Sequence, residues 1–394
     1  MRVLLTTRGS SGHVTPLAPF GHALVRAGHG VLVAAQHHFA ANVERTGLPF
    51  AAVGAVREED WMPLLPRLAQ MRLDEGHDAM CSEFFGRLDM AAMLPGLREL
   101  ADDWRPDLIV RESWEYGSTI VAEERGIPLA RVGLGVEAVE SVSERAAIPA
   151  VERERAAAGL PADPDGERLR AAPYLTDVPE SLEDPAAPAP PRILRFCTGE
   201  APEPSDPGGE PLVYVSFGSV TAGGHLPFYP ALYQAAIEAL APLPARFLLT
   251  IGEDRDLAQL GPLPANVEVQ RWVPQEDILH RAAAVVTHGG HGSTLDALAH
   301  GVPVVVLPLF ALDQWFNAEA VARAGAGVAL DGERRTRRAT DLPSAETLAR
   351  LRPAVEHVLS DPAPRAAART LAAEMHALPP VDAAPPPLEA IAAR

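Results

Sequence analysis

The feature that most constrains the fold is a pattern that occurs twice. Near the amino terminus, a short apolar run from Val3 to Thr7 is followed by a Gly/Ser loop at Gly9 to Gly12. A helical stretch from Pro16 to Ala27 and a second apolar run from Val31 to Ala34 come next. The same order restarts at Leu212 to Phe217, with a Gly/Ser loop, a helical stretch around Tyr229 to Leu240 and the run Phe247 to Ile251. Strands that are apolar at nearly every position are covered on both faces, and strand–helix–strand order supplies the cover. Thr15 is placed to cap the first helix, with Pro16 at its first position and Gly28 as its stop. Leu108 to Val110, Leu129 to Val132 and Ile193 to Phe196 read as further strands of the first sheet. Val267 to Gln270, Ala284 to Thr287 and Pro303 to Leu307 read as further strands of the second. Between the halves, Pro- and Gly-rich sequence from Asp184 to Pro211 marks a linker. The expected fold is α/β, with two doubly wound parallel-sheet domains facing across a cleft. The expected division is 1–197, a linker at 198–211, a second domain at 212–375, and a tail at 376–394 packing back on the first domain. Ligands of such sheets bind at the carboxyl ends of the strands.

Composition removes several functions. The chain of 394 residues has 34 Lys plus Arg against 52 Asp plus Glu, a formal charge of −18, and every cation is an arginine. Without lysine there is no Schiff-base or pyridoxal chemistry and no P-loop. The acidic balance argues against nucleic acid and anionic membranes as partners. Two cysteines, Cys81 and Cys197, form no disulfide framework and no CxxC pair. The apolar run Val3 to Leu5 is too short for a signal peptide, and no stretch reaches the length of a membrane span, so a cytoplasmic enzyme is expected. The arginine cluster Arg334, Arg335, Arg337 and Arg338 reads as a solvated loop.

The richest segment runs from Arg271 to Asn317. His288 ends a strand, and Gly289, Gly290 and Gly292 lead into a helix that begins with Ser293 and Thr294. Glycines let a ligand approach the backbone, and a helix amino terminus favours anions through its dipole and free amides, so the turn reads as a phosphate cradle. In full, the segment resembles the donor-binding signature of family 1 glycosyltransferases, which have the GT-B fold of two Rossmann-like domains. It matches W-x-P-Q at Trp272 to Gln275, T-H-G-G with S-T from Thr287 to Thr294, then G-V-P, then D-Q-x-x-N at Asp313 to Asn317. The spacing from Trp272 to His288 is similar to that of bacterial natural-product and macrolide-type members.

The resemblance implies roles. Trp272 stacks on the pyrimidine, Val273 presents backbone to the base edge, and Gln275 belongs to the same base and ribose subsite. Asp296 holds the ribose diol, which favours UDP over dTDP. Gly218, Ser219, His288, Gly290, Gly292, Ser293 and Thr294 hold the diphosphate. Asp313 and Gln314 bind the sugar, with Leu312 as one residue more than the usual pattern. His291 stands where the plant signature has tryptophan.

In the amino half, His13 in GSSGHVTP occupies the loop where the family carries its general base, and imidazole titrates in the right range. Glu112, just past a strand, is its expected orienter, with Glu115 as rival, whereas Asp107 starts that strand at the far end. Trp61, Met62, Met80, Phe84, Phe85 and Trp114 are the acceptor-pocket candidates. The methionine-rich stretch around them reads as a hydrophobic lid or as ordinary helix core. Two D-x-D strings, Asp163/Asp165 and Asp254/Asp256, read as loop acids, and no metal ligand set is found.

The expected function is therefore inverting, metal-independent transfer of a hexose from a nucleotide sugar to a hydroxyl of a small natural product. That product is a polyketide, macrolide or aromatic aglycone. No cofactor is expected beyond the nucleotide sugar, and the expected state is a monomer or homodimer. The alternatives are a nucleotide-sugar epimerase of the same fold and a non-catalytic binding partner.

Overall fold

The computed structural model describes residues 1–199, 209–218, 221, 226–330, 334 and 336–393. The amino half forms a parallel sheet from β1 (Arg2–Thr6), β2 (Gly30–Gln36), β3 (Phe50–Val53), β4 (Leu108–Glu112), β5 (Leu129–Val132), β6 (Tyr174–Thr176) and β7 (Ile193–Arg195). Their order is β3-β2-β1-β4-β5-β6-β7. The carboxyl half repeats the scheme with β8 (Leu212–Ser216), β9 (Arg246–Thr250), β10 (Val267–Gln270), β11 (Ala284–Thr287), β12 (Val304–Val306) and β13 (Gly327–Ala329), in the order β10-β9-β8-β11-β12-β13. Both are doubly wound, and in each the winding reverses beside the first strand: between β1 and β4, and between β8 and β11. At such a reversal the loops diverge and leave a crevice.

The runs of apolar residues become the buried centres of the sheets. Val3, Leu5, Val110 and Val132 pack beneath helix Ala18–Arg26, which contributes Phe20 and Leu24. The same cluster includes Ala384, Leu388 and Ile391 of the terminal stretch, whose last helix is Pro385–Ala392. Helix Ala18–Arg26 starts later than its sequence suggests. A separate short helix, Ser11–Val14, precedes it, so Thr15 closes that turn instead of capping the longer helix. The strands β3, β6 and β13 are three or four residues long, and β3 and β13 are only partly buried; none has a periodicity to announce it.

Several contacts tie the halves together. Val136, Val139, Val178 and Leu182 of the amino half join the core that contains Val304 and Val306. Leu73 packs on Leu312 and Trp315 of the carboxyl half. The arginine loop is not simply solvated. Arg337 is buried, its backbone carbonyl accepts from Leu73 N at 2.8 Å, and Arg334 lies 3.5 Å from Asp74. Arg334 also stacks over Phe316, 4.7 Å from the ring centre. A guanidinium can cover an aromatic face while its edge makes ion pairs, which is why arginines settle at such a junction. Arg335 lies outside the described residues. No helix among the described residues is long and apolar enough to cross a membrane.

Leu388→Ala should cost about 2–5 kcal/mol by opening a cavity in the first core. Chemical unfolding followed by tryptophan fluorescence checks this. An unchanged midpoint would show that the terminal helix is not part of the core.

Candidate active site

His13 and Glu112 meet at the crevice of the first sheet. Helix Ser11–Val14 follows β1 and carries His13, and Glu112 is the last residue of β4. His13 Nδ1 lies 2.9 Å from Glu112 Oε1. A carboxylate only accepts, so Nδ1 carries the proton and Nε2 keeps its lone pair. The other Glu112 oxygen accepts from Trp114 N at 2.6 Å, and Glu112 has no exposed surface. Burial pushes against its charge, but the His13 ring, the Trp114 N–H and Arg8 outweigh it and hold the carboxyl below its usual range. Glu115 is otherwise engaged: its carboxylate accepts from Ser118 N at 3.0 Å and from the Ser118 hydroxyl at the start of helix Gly117–Arg125. Asp107 sits at the opposite end of β4, where it accepts from Arg2 N at 2.6 Å.

An aromatic wall runs outward from His13. The Trp114 ring is edge-on to His13 at 5.5 Å and stacked on Phe85 at 5.5 Å. Phe84 lies 5.6 Å from Phe85, and Trp61 lies 6.2 Å from Phe84. Phe84 and Phe85 belong to a π-helical stretch, Met80–Asp89, in which Met90 N reaches back five residues to Phe85 O. Such widened turns re-aim side chains and are frequent at functional sites. The helix-core reading holds for part of this region. Phe85, Met90 and Met93 are core, while Trp61, Phe84 and Trp114 are only partly buried. Met80 packs against that core, and Met62 is exposed. Arg8, which the sequence did not single out, lies 4.7 Å over Phe85 and pairs with buried Asp89 at 2.8 Å. Gln36 donates to the same carboxylate at 3.0 Å.

The crevice of the second sheet holds the Gly-rich turn. Gly218 follows β8 and His288 follows β11. The His288 ring lies between two glycines: a Cβ at Gly218 would come within 2.5 Å of it, and one at Gly290 within 2.6 Å. Gly218 also has φ +82°, a conformation other residues rarely adopt. Burial pushes His288 down to about 4, so near neutral pH it is an uncharged hydrogen-bonding ring. Gly290, with φ −61° and ψ 145°, caps helix His291–Ala299. On its first turn, Ser293 Oγ is 3.5 Å from Gln275 Oε1, which ties the Trp272–Gln275 loop to the helix. Thr294 Oγ1 and Gln275 Nε2 are buried without a protein partner. Gly292 has open space around it, Asp296 is exposed one turn further on, and Val273 packs on the core. Trp272 is 63% exposed, an unusual position for an indole with no packing role. Ser219 lies outside the described residues.

Helix Leu312–Arg323 closes the site from the side. Asp313 lies on its first turn, and burial pushes its carboxyl up to about 6. Gln314 Oε1 accepts from Leu309 N at 2.8 Å and Phe310 N at 3.1 Å, so only its amide nitrogen is left for a ligand. Asn317 donates to Gly289 O at 2.8 Å and fixes the turn to this helix; the D-Q-x-x-N pattern contains it, but the pattern alone does not disclose that role. The D-x-D strings are caps. Asp163 accepts from Glu167 N and Arg168 N at 3.0 Å each, and Asp256 accepts from Ala258 N. Among the described residues there is no cluster of three metal-ligating side chains.

Known proteins resemble this chain in sequence and in fold. The family model "Erythromycin biosynthesis protein CIII-like, N-terminal domain" matches residues 22–182, and the corresponding C-terminal domain model matches residues 234–390. The L-demethylnoviosyl transferase of Streptomyces niveus is 32% identical, over 95% of this chain and 94% of its own. The elloramycin glycosyltransferase ElmGT of Streptomyces olivaceus is 34% identical, over 98% and 96%. The crystal structure of the glycosyltransferase VinC in complex with dTDP superposes over the whole of both chains, with a TM-score of 0.76 and 24% identity, and shows the shared GT-B fold.

Gly290→Ala should displace His288 and weaken binding of a nucleoside diphosphate at least about tenfold, a loss of about 1.4 kcal/mol. Calorimetric titration with UDP and dTDP checks it, and unchanged affinity would remove His288 from the site.

Proposed function

The chain belongs to the erythromycin biosynthesis protein CIII-like family of glycosyltransferases, and on that premise we propose an inverting, metal-independent transfer of a hexose from a nucleotide sugar to a hydroxyl of a polyketide, macrolide or aromatic aglycone. The observation that carries the reading is the buried His13–Glu112 pair at the crevice of one sheet, together with the Gly-rich turn at the crevice of the other. His13 Nε2 takes the proton of the acceptor hydroxyl. The oxygen attacks the anomeric carbon from the face opposite the diphosphate, and the bond from that carbon to the phosphate oxygen breaks. Glu112 stays ionised and stabilises the imidazolium. Charge developing on the diphosphate is met by the amides of helix His291–Ala299, the hydroxyls of Ser293 and Thr294, and His288.

Trp272, Val273 and Gln275 take the base, and Asp296 takes the ribose. A carboxylate suits the 2′,3′-diol of UDP, which is the favoured donor nucleotide. A dTDP sugar is the second reading, because aspartate is one carbon shorter than the glutamate usual at this position. Asp313 accepts from a sugar hydroxyl, and the Gln314 amide donates to one. The wall of Trp61, Phe84, Phe85 and Trp114, with Met62 and Met80 at its margin, suits a flat apolar acceptor.

His13→Ala should lower turnover by about a thousandfold while leaving nucleotide affinity nearly intact. Unchanged turnover in a mass-spectrometric transfer assay would remove His13 as base. The second expectation follows from Asp313, whose carboxyl is ionised above about 6 and protonated below. The donor KM should therefore rise as pH falls from 7.5 to 5.5, and Asp313→Asn should raise it at pH 7.5 and flatten this dependence. An equally steep profile in the variant would contradict the role.

A further inference from the structure

His291 has no part in the reaction as described, yet it is the first residue of the diphosphate helix. Its ring faces the other domain. Nε2 lies 3.4 Å from Oδ1 of Asp177, the residue after β6, and Thr198 Oγ1 donates to the other Asp177 oxygen at 3.1 Å. The contact is within ion-pair range but too poorly aligned for a hydrogen bond, and His291 Nε2 is buried with no hydrogen-bond partner. A buried donor left in this state has a strong tendency to complete its bond. A small approach of the two domains would shorten and align this one.

We propose that Asp177 and His291 form a latch across the cleft, an ion pair that tightens as the domains close on the donor diphosphate, making His291 a positioning residue for transfer. The inference rests on the donor reading above and adds to it a group that reports closure.

The surroundings of the ring favour a cation. Asp177 reaches it from the amino domain. Glu140 on helix Glu137–Ala157 and Asp313 on helix Leu312–Arg323 add negative charge from two further elements. Glu183, and Asp296 on His291's own helix, also feel its charge. Burial pulls the ring down, but the adjacent Asp177 carboxylate, with the charges of Glu140 and Asp313, outweighs it and leaves His291 raised. Asp177 moves the opposite way: burial raises it, and His291 and Thr198 bring it below its usual range. Both shifts favour the ionised pair. The sign follows: the latch is present while the ring is protonated and is lost as pH rises through its titration. A histidine at this position places a full charge one residue from the N-cap, where the helix amides already favour an anion.

The test uses the full-length protein, with UDP and dTDP as probes, titrated by calorimetry between pH 6 and pH 8.5. Asp177→Asn keeps the shape and removes the charge. His291→Gln removes the cation, and His291→Arg keeps a cation that does not titrate. Both neutral variants should weaken nucleotide binding about tenfold at pH 6.5. The double variant should be no weaker than either single one, because the two changes remove one interaction. The wild-type protein should lose affinity toward pH 8.5 relative to His291→Arg, which retains Glu140 and Asp313 and so cancels their titration. In small-angle scattering, nucleotide should contract the wild-type protein and His291→Arg, but not Asp177→Asn. Additive losses, or parallel pH profiles for wild type and His291→Arg, would overturn the latch while leaving the donor reading standing. Binding of neither nucleotide to the wild-type protein would overturn both.

Discussion

In each sheet the chain winds outward from the first strand in one direction and then returns to build in the other. The loops after β1 and β4, and those after β8 and β11, must therefore part. This divergence is the constraint on which the site depends. It produces two crevices, each at the carboxyl ends of parallel strands, where backbone amides and strand-end side chains converge. His13 and Glu112 fill one, and Gly218 and His288 fill the other. Strand ends and helix starts hold some of the candidate site residues, and the loops between them hold the others. Glu112 at the end of a fully buried strand can hold a ring at 2.9 Å because neither partner has room to move.

Charge is managed by geometry and not by quantity. The excess of 18 negative charges lies on a chain whose cations are all arginines. In the amino half, Arg111 and Arg131 are buried among carboxylates, with Arg131 Nη1 2.7 Å from Glu144. Burial pushes Glu137 up to about 9 and Glu140 to about 7, so this layer is not fully ionised at neutral pH. Removing one member of such a layer leaves an uncompensated buried charge, which costs about 3–5 kcal/mol. The guanidinium is suited to the place because its planar fork serves several oxygens at once and stacks on Tyr174 at 4.4 Å.

Much of this was legible in the sequence, for a physical reason. Buried parallel strands must be apolar throughout, so β1, β4, β8, β11 and β12 stand out in Val- and Leu-rich runs, and glycine turns follow β1, β8 and β11. Elements whose identity depends on their neighbours were not legible. Strands β3, β6 and β13 are too short to announce themselves and are defined by the strands they pair with, and Ser11–Val14 is a single helical turn. Arg8 and Asp177 were hidden for the same reason. Their meaning lies in Phe85, Asp89 and His291, which are 77, 81 and 114 positions away in sequence. The arginine loop shows the converse error. A run of charges reads as solvated unless one knows that Leu73, Asp74 and Phe316 lie beneath it.

The terminal stretch that returns to the first sheet has a mechanical meaning. The backbone passes between the halves twice, once after β7 and once before helix Pro385–Ala392. The two passages are stitched side by side: Cys197 N donates to Pro379 O at 2.8 Å, and Val381 N donates to Cys197 O at 2.9 Å. A single tether would let one half swivel about the other in any direction. Two crossings bonded to each other restrain the halves more than one would, and any relative movement must bend both at the stitched strip. The order of the chain therefore limits how the two crevices can move relative to each other.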